Sequence, residues 1–466
     1  MNRNVLAATA AVVLLGVAVV GGAAVTGIQA KKKLQAQPAE WQAQWPLLKV
    51  SAQKYEHGLF SSTNTMTLQL GCKIDANPVS GITVRQRIKH GPLPGFSSFG
   101  AAVIDTEVVV PETERKQVAE LIGDKSPFTA HTVVGFGGSM NTQFSIPAIN
   151  YKSAKGDQLN WQGLTGEVRQ SGASLRYDVE TPGFSAYGKD DKMVFDMKLS
   201  ALRMRGEMNG TEGSFWMWPG TGDLDLASFE MYTTTASERG MPPVKMALNQ
   251  LKASSENKRD KDLLSNSTKF SASGVINDVR VDKLELLSSV KRLHAPTYQR
   301  LIQRFMDTSA AACDMKQTVS SQVMLAQIQQ DFGALLPFDP QYSVDKLAIE
   351  IDGKRAELSY SVGINGVTPA DAQMPLQALA MTKAHLKGQV KLPVAWAEKA
   401  VAHFGNRPNT PQTDPAAQAE MASLMLAKFT NDGLISREGD MISSQVSFDR
   451  GQLLVNGKPV NRAPPQ

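Results

Sequence analysis

The stretch Thr65-Met66-Thr67-Leu68-Gln69-Leu70-Gly71-Cys72-Lys73-Ile74 decides the fold. Apolar side chains at 66, 68, 70, 72 and 74 alternate with small or polar ones, the two-residue period of a strand with one buried and one wet face. Beyond the turn-forming Asn77-Pro78, Ile82, Val84 and Ile88 alternate with Thr83, Arg85, Arg87 and Lys89, so the two segments read as a hairpin pair. The pattern recurs in Phe128–Phe136 and Met140–Ile146 around Gly137-Gly138. It continues in Leu164–Gln170, Ser174–Glu180, Lys192–Ala201, Arg203–Met208 and Leu224–Thr233, which are separated by Gly, Asn, Asp or Pro. Many sequential strands with short connections predict an antiparallel meander; a parallel sheet needs crossover helices, of which this region offers few.

Helices are expected mainly later in the chain. One short helix over Glu112–Ile122 opens on acidic residues and stops at Gly123. Tyr298, Leu301, Ile302 and Phe305 follow a helical spacing behind Thr297 as N-cap, and further helices are expected over 315–332, 370–384, 394–404 and 415–429. Strands near 346–351, 356–364, 385–392, 434–437, 441–448 and 453–456 complete the chain. The fold class is therefore α+β, predominantly antiparallel β. An N-terminal segment (1–30) precedes an elongated or curved β-meander (31–290), and a mixed helix and strand region (291–466) packs with the meander as one extended body.

The 466 residues hold 49 Lys and Arg against 44 Asp and Glu, 42% hydrophobic residues and 20% charged ones, a globular composition. The small basic excess forms no stripe, so nucleic acid is not an expected partner. Val5–Ile28 runs 24 residues without a charge. As a helix it reaches about 36 Å, enough for a hydrocarbon core of about 30 Å and longer than a cleaved secretory signal requires. The direction of this span is left open by charge: Arg3 precedes it and Lys31-Lys32-Lys33 follows it, whereas a first span with so short a tail tends to export what comes after.

No local motif for catalysis or metal binding is visible. His57, His90, His131, His294, His385 and His403 form no H-x-x-x-H or H-E-x-x-H pair, and neither G-x-S-x-G nor a P-loop occurs. Gly135–Ser139 sits between strands and reads as a hairpin turn. Asp223 and Asp225 share one strand face and read as solvated surface. Cys72 and Cys313 allow one disulfide or two unpaired thiols in apolar packing. No cofactor is expected, and an enzyme is not.

Three short patterns, in order, carry a resemblance. Lys89-His90-Gly91-Pro92-Leu93-Pro94 closes the first hairpin, Asn160-Trp161-Gln162-Gly163-Leu164-Thr165-Gly166 forms a turn and strand, and Asp449–Pro459 includes Asn456-Gly457. With the apolar N-terminal span, the chain resembles the YdgA-like family of bacterial envelope proteins, a domain of unknown function. The resemblance implies a single-pass inner-membrane anchor through residues 5–28 with the bulk periplasmic, and it transfers no catalytic residue. His90, Gly91, Pro92, Trp161, Gly163, Gly166, Asn456 and Gly457 are read as structural: the prolines end pairing, Trp161 covers the core beside two glycines, and Asn456-Gly457 makes a tight turn. Three functions follow: a non-enzymatic envelope protein binding a lipid or protein partner, an accessory subunit of an envelope assembly, and a hydrolase of an envelope polymer.

Overall fold

A computed structural model describes residues 48–70, 82–96, 99–189, 193–210, 217–235, 243–314, 333–368, 371, 374–405 and 415–460. The span expected over 5–28, Cys72, the helix expected over 315–332 and the start of the 370–384 helix lie outside these residues, as does the side chain of Cys313. Among the described residues no helix is long and apolar enough to cross a membrane.

Two compact units are present: of the described residues, those up to Asn257 with 299–314 form one, and Lys258–Tyr298 with the residues from 333 onward form the other. In the first, β1 (Leu48–His57), β2 (Ser61–Leu70), β3 (Ile82–His90), β4 (Ala102–Val109), β5 (Thr129–Val134) and β6 (Met140–Ile146) pair antiparallel in sequence order. The meander goes on through β9 (Leu164–Ser171), β10 (Ser174–Lys189), β11 (Met193–Asn209), β12 (Gly220–Thr235) and β13 (Val244–Asp260). The hairpin of β7 (Ile149–Lys152) and β8 (Gln158–Trp161) prolongs β6 and β9, and β8 also pairs with β10. Helix α1 (Glu112–Ile122) lies between β4 and β5 and ends at Gly123, whose φ of 67° is left-handed.

The alternation read from Met66 and Leu68 is the inward face. Met66, Leu68, Val84, Phe128, Ile146, Leu159, Trp161, Val168 and Ala186 join in one buried cluster, with Leu121 and Ile122 of α1 against it. Burying each larger side chain contributes about 1.5–3 kcal/mol.

The expected break between Lys192–Ala201 and Arg203–Met208 is instead one strand, β11, and β10 likewise runs past Pro182. The interruption is real but crosses the sheet. The flanking pairs keep one register on both sides, Thr181 opposite Leu202 and Gly183 opposite Ser200, then Leu202 opposite Leu226 and Ser200 opposite Ser228. In that register Gly163, Pro182, Ala201, Ala227 and Gln250 fall on one line. Gly163, Ala201 and Gln250 have φ of 90°, 48° and 51°, and Pro182 has no N–H for the ladder. The line is a crease through strands that continue beyond it. It is held from inside: Trp161 Nε1 donates to Thr181 Oγ1 at 2.9 Å, Thr181 Oγ1 donates to the Gly163 carbonyl at 2.6 Å, and Gln162 N donates to the Gly183 carbonyl. A Cβ on Gly163 would stand 2.7 Å from the Ile146 carbonyl oxygen.

The second unit pairs β14 (Leu263–Ile276), β15 (Val279–His294), β16 (Gln341–Ile351), β17 (Lys354–Ile364), β18 (Ala384–Pro393) and β20 (Met441–Asp449) in that order. β19 (Ser436–Glu438) and β21 (Gln452–Val455) pair with successive parts of β20, and β22 (Lys458–Pro459) pairs with β21. Asn277-Asp278 and Asn456-Gly457 are two-residue hairpin turns with φ positive at both positions, as a type I′ turn requires. Helix α2 (Ala295–Asp314) begins two residues before the expected cap. Pro296 suits a first turn, and Thr297 Oγ1 lies 2.8 Å from His294 Nδ1. Helices α3 (Leu376–Lys383), α4 (Val394–Gly405) and α5 (Pro415–Asn431) follow.

Glu285 on β15 meets Lys283 at 2.8 Å, with Lys346 on β16 and Arg355 on β17 both at 2.9 Å. Hydrogen bonds from Lys283, then Lys346, outweigh burial and with Arg355 hold its carboxyl at about 2.

Two outcomes follow from these contacts. Thr181→Val keeps the side-chain shape but strands a buried indole N–H and a carbonyl, and is expected to cost about 1–3 kcal/mol in urea unfolding, whereas Thr181→Ser retains most of the stability. Equal midpoints for the two variants would refute the link. Because Glu285 titrates lower folded than unfolded, its stabilisation is present above about 4.5 and lost as pH falls toward 2. The gap between the native chain and Glu285→Gln is expected to stay level above about pH 5 and to narrow from there to pH 3; a gap constant over the whole range would count against it.

Candidate functional site

The wet faces of the strands carry a pattern invisible along the chain. Arg87, Asp105, His131, Gln143, Glu167, Asp178, Arg205 and Asp223 stand opposite one another in succession from β3 to β12. Two residues along each strand, Arg85, Glu107, Thr129, Ser145, Thr165, Glu180, Arg203, Asp225 and Lys252 form a second row reaching β13. Directly paired residues in an antiparallel sheet share a face, so the rows lie side by side. Between Arg87 on β3 and Arg203 on β11 they line a groove of about 730 Å³, a volume in the range of ligand sites.

Most carboxylates of the two rows have a basic partner, although Glu167 stands opposite Asp178. Glu107 accepts from Arg87 at 2.9 Å and Arg85 at 3.3 Å, Glu167 from Arg169 at 2.8 Å, Asp178 from Arg203 Nε at 2.9 Å, and Asp225 from Arg205 at 3.0 Å. Asp105 lies 2.7 Å from His131 Nδ1 and 3.1 Å from Lys89 Nζ. Burial alone would raise the Asp105 carboxyl, but the His131 and Lys89 contacts prevail and hold it below the usual range. Hydrogen bonds from Arg169 and Arg203 lower Glu167 and Asp178 in the same way. Carboxylates so paired stay ionised at neutral pH, which suits electrostatic recognition better than proton donation.

The histidines are apportioned among separate places. His131 lies in the groove. His294 stacks on Phe338 with ring centres 3.6 Å apart, the His385 ring covers Gly363, and the His403 side chain is outside the described residues. His57 and His90 meet at one end of the sheet. Ser62 Oγ lies 3.2 Å from His57 Nδ1 and 3.0 Å from His90 Nε2, while His90 Nδ1 is 3.3 Å from the Leu59 carbonyl. Serine and histidine at that distance are the geometry of an activated nucleophile. Ser62 is only 3% exposed, however, so the trio ties the β1–β2 turn to the end of β3 rather than facing a substrate. Among the described residues no three His, Cys, Asp or Glu side chains converge as a metal site.

The residues singled out from sequence fall at structural junctions. Gly91 and Pro92 begin the loop after β3, Gly91 N donating to the Ala101 carbonyl. Trp161 and Gly163 hold the crease, and Gly166 is covered by the Phe144 ring on the neighbouring strand, leaving a Cβ there only 2.4 Å of room. Asn456 accepts from Gln445 N and donates to the Gly433 carbonyl. Asp223 and Asp225 do share a strand face, within the charged rows. The sequence named His57 and several groove charges but not Ser62, nor which charges would meet. Their one visible signal was ionisable residues at every second position, which says nothing of cross-strand partners.

Residues 1–463 match the family model described as "Bacterial protein of unknown function (DUF945)". The chain is similar to Protein YdgA of Escherichia coli (strain K12), with 22% identity over an alignment covering 99% of this chain and 95% of that protein. No solved structure matches.

The groove pairs are half exposed, Arg203 and Asp178 by 48% and 40%, and screening makes such pairs weak contributors to stability. Asp178→Asn is therefore expected to leave the thermal midpoint nearly unchanged, unlike Thr181→Val. A large drop would mean that the rows exist to hold the fold.

Proposed function

Because the chain belongs to the DUF945 family of bacterial proteins of unknown function, we propose that it is a non-enzymatic protein of the cell envelope. Residues 5–28 anchor it in the inner membrane, the body is periplasmic, and the charged groove binds a protein partner. The matched rows from β3 to β13 carry this reading. Keeping acidic and basic side chains in register over so many strands adds little stability, yet it offers an extended polypeptide alternating sites for both signs of charge. A protein partner fits better than an acyl chain, since the apolar face of the same strands is occupied by Met66, Val84, Phe128 and their neighbours. Val5–Ile28, a span without charge that is long enough for a bilayer, supports the anchor.

A photoreactive side chain introduced at Thr129 or Thr165, inside the groove, is expected to give one discrete adduct in intact cells. The exposed Lys152 on β7 is expected to give none, and the adduct should weaken in Arg203→Glu. No adduct from either groove position, or equal labelling from Lys152, would defeat the reading.

A further inference from the structure

We propose that one end of the first unit is a membrane-contact tip, seated in the headgroup region of a lipid bilayer. Leu59 and Phe60 in the β1–β2 turn, Leu93 and Phe99 in the β3–β4 connection and Phe136 in the β5–β6 turn are 52–83% exposed. Such large apolar side chains, gathered at one place on a surface, mark a contact site.

The three segments form one body. His90 N donates to the Phe60 carbonyl at 2.9 Å, Gly100 N to the Pro92 carbonyl at 3.1 Å, and Ala101 N to the Val134 carbonyl at 2.8 Å. Phe99 and Phe136 meet edge to face, with ring centres 5.1 Å apart. Neither residues 58–62, nor 91–100, nor 135–139 contain a charged side chain. Behind them lie His57, Lys89, His90, Asp105 and His131, so an apolar cap gives way within one to five residues to an ionisable band.

This chemistry selects a bilayer. A protein partner would be met by a flat patch or a cleft, whereas here three separate glycine-bearing turns project apolar ends to a common side. Aromatic and leucine side chains above a polar band match the gradient from acyl chains to headgroups. The chain before β1 permits the contact to be with the membrane that holds it. From residue 30 to Leu48 an extended chain reaches about 60 Å, and β1 itself is about 33 Å long. That last step rests on the anchor proposed above; the tip's own chemistry does not.

The test uses the full chain with Cys72→Ser and Cys313→Ser, reconstituted in phosphatidylethanolamine–phosphatidylglycerol vesicles. An environment-sensitive fluorophore is placed in turn on Phe60→Cys, Phe99→Cys, Phe136→Cys and, as control, Lys152→Cys. Emission from the three tip positions is expected to shift to the blue and to be quenched by lipids brominated near the headgroup, with the control unchanged. Adding Phe60→Asp and Phe136→Asp should return the label at 99 to its aqueous emission. Flotation with the vesicles reports the anchor separately from the tip. Aqueous emission from all three tip positions overturns the proposal. So does emission that turns blue only when soluble envelope proteins are added, which would assign the tip to a protein.

Discussion

The long strands of the first unit, and the charged rows they carry, depend on one registration across the crease. Side chains alternate between faces, so a slip of one residue at any pairing would carry Met66, Val84 or Val168 to water and the charged rows into the core. The crease is where such a slip is easiest, because Pro182 offers no N–H and Ala201 leaves the strand region of backbone space. The bonds from Trp161 to Thr181 and from Thr181 to Gly163 close that gap from the buried side. The pairs beyond it, Phe184 with Trp161 and Tyr187 with Gln158, then continue as though nothing had intervened. Aromatic rings laid over glycines on neighbouring strands, Phe144 on Gly166 and Tyr177 on Gly206, pin the same alignment.

Much of the strand grammar was legible because burial of one face writes itself into every second residue. Met66, Leu68, Val84 and Ile88 point inward as their spacing said, and the helices at Glu112 and Val394 begin where they were read. The crease misled for a physical reason: proline and glycine usually close a strand, and only neighbouring strands reveal that Thr181-Pro182-Gly183 interrupts one without ending it. The strands of 244–294 were not singled out, since Lys252-Ala253-Ser254-Ser255-Glu256-Asn257 buries too little to show a period. The groove and the apolar tip were illegible for a further reason. Arg87 and Asp178 come to line one groove, and Phe99 and Phe136 to touch, through pairings made strand after strand, and a linear spacing holds no trace of them.

The two surfaces differ in chemistry and belong to one sheet. The groove offers paired charges that a polar partner can exchange for its own. The end of the sheet offers apolar side chains with nothing charged among them. Their separation follows from strand geometry: wet-face residues form rows across the strands, whereas turns collect at the ends. His57, Ser62 and His90, beside the tip, fasten the β1–β2 turn to β3.

The strand order has a bearing on how the chain reaches this state. From β1 to β6 each strand pairs with the one made just before it, and from β9 to β12 the same holds. Loop closure between successive strands spans from 2 to 19 residues, and closure entropy grows only slowly with length, so little is lost before each pairing is rewarded. The sheet can therefore grow as a zipper, in the order in which the ribosome supplies it. Each new strand finds its template already laid down and covers the edge that its predecessor had left open.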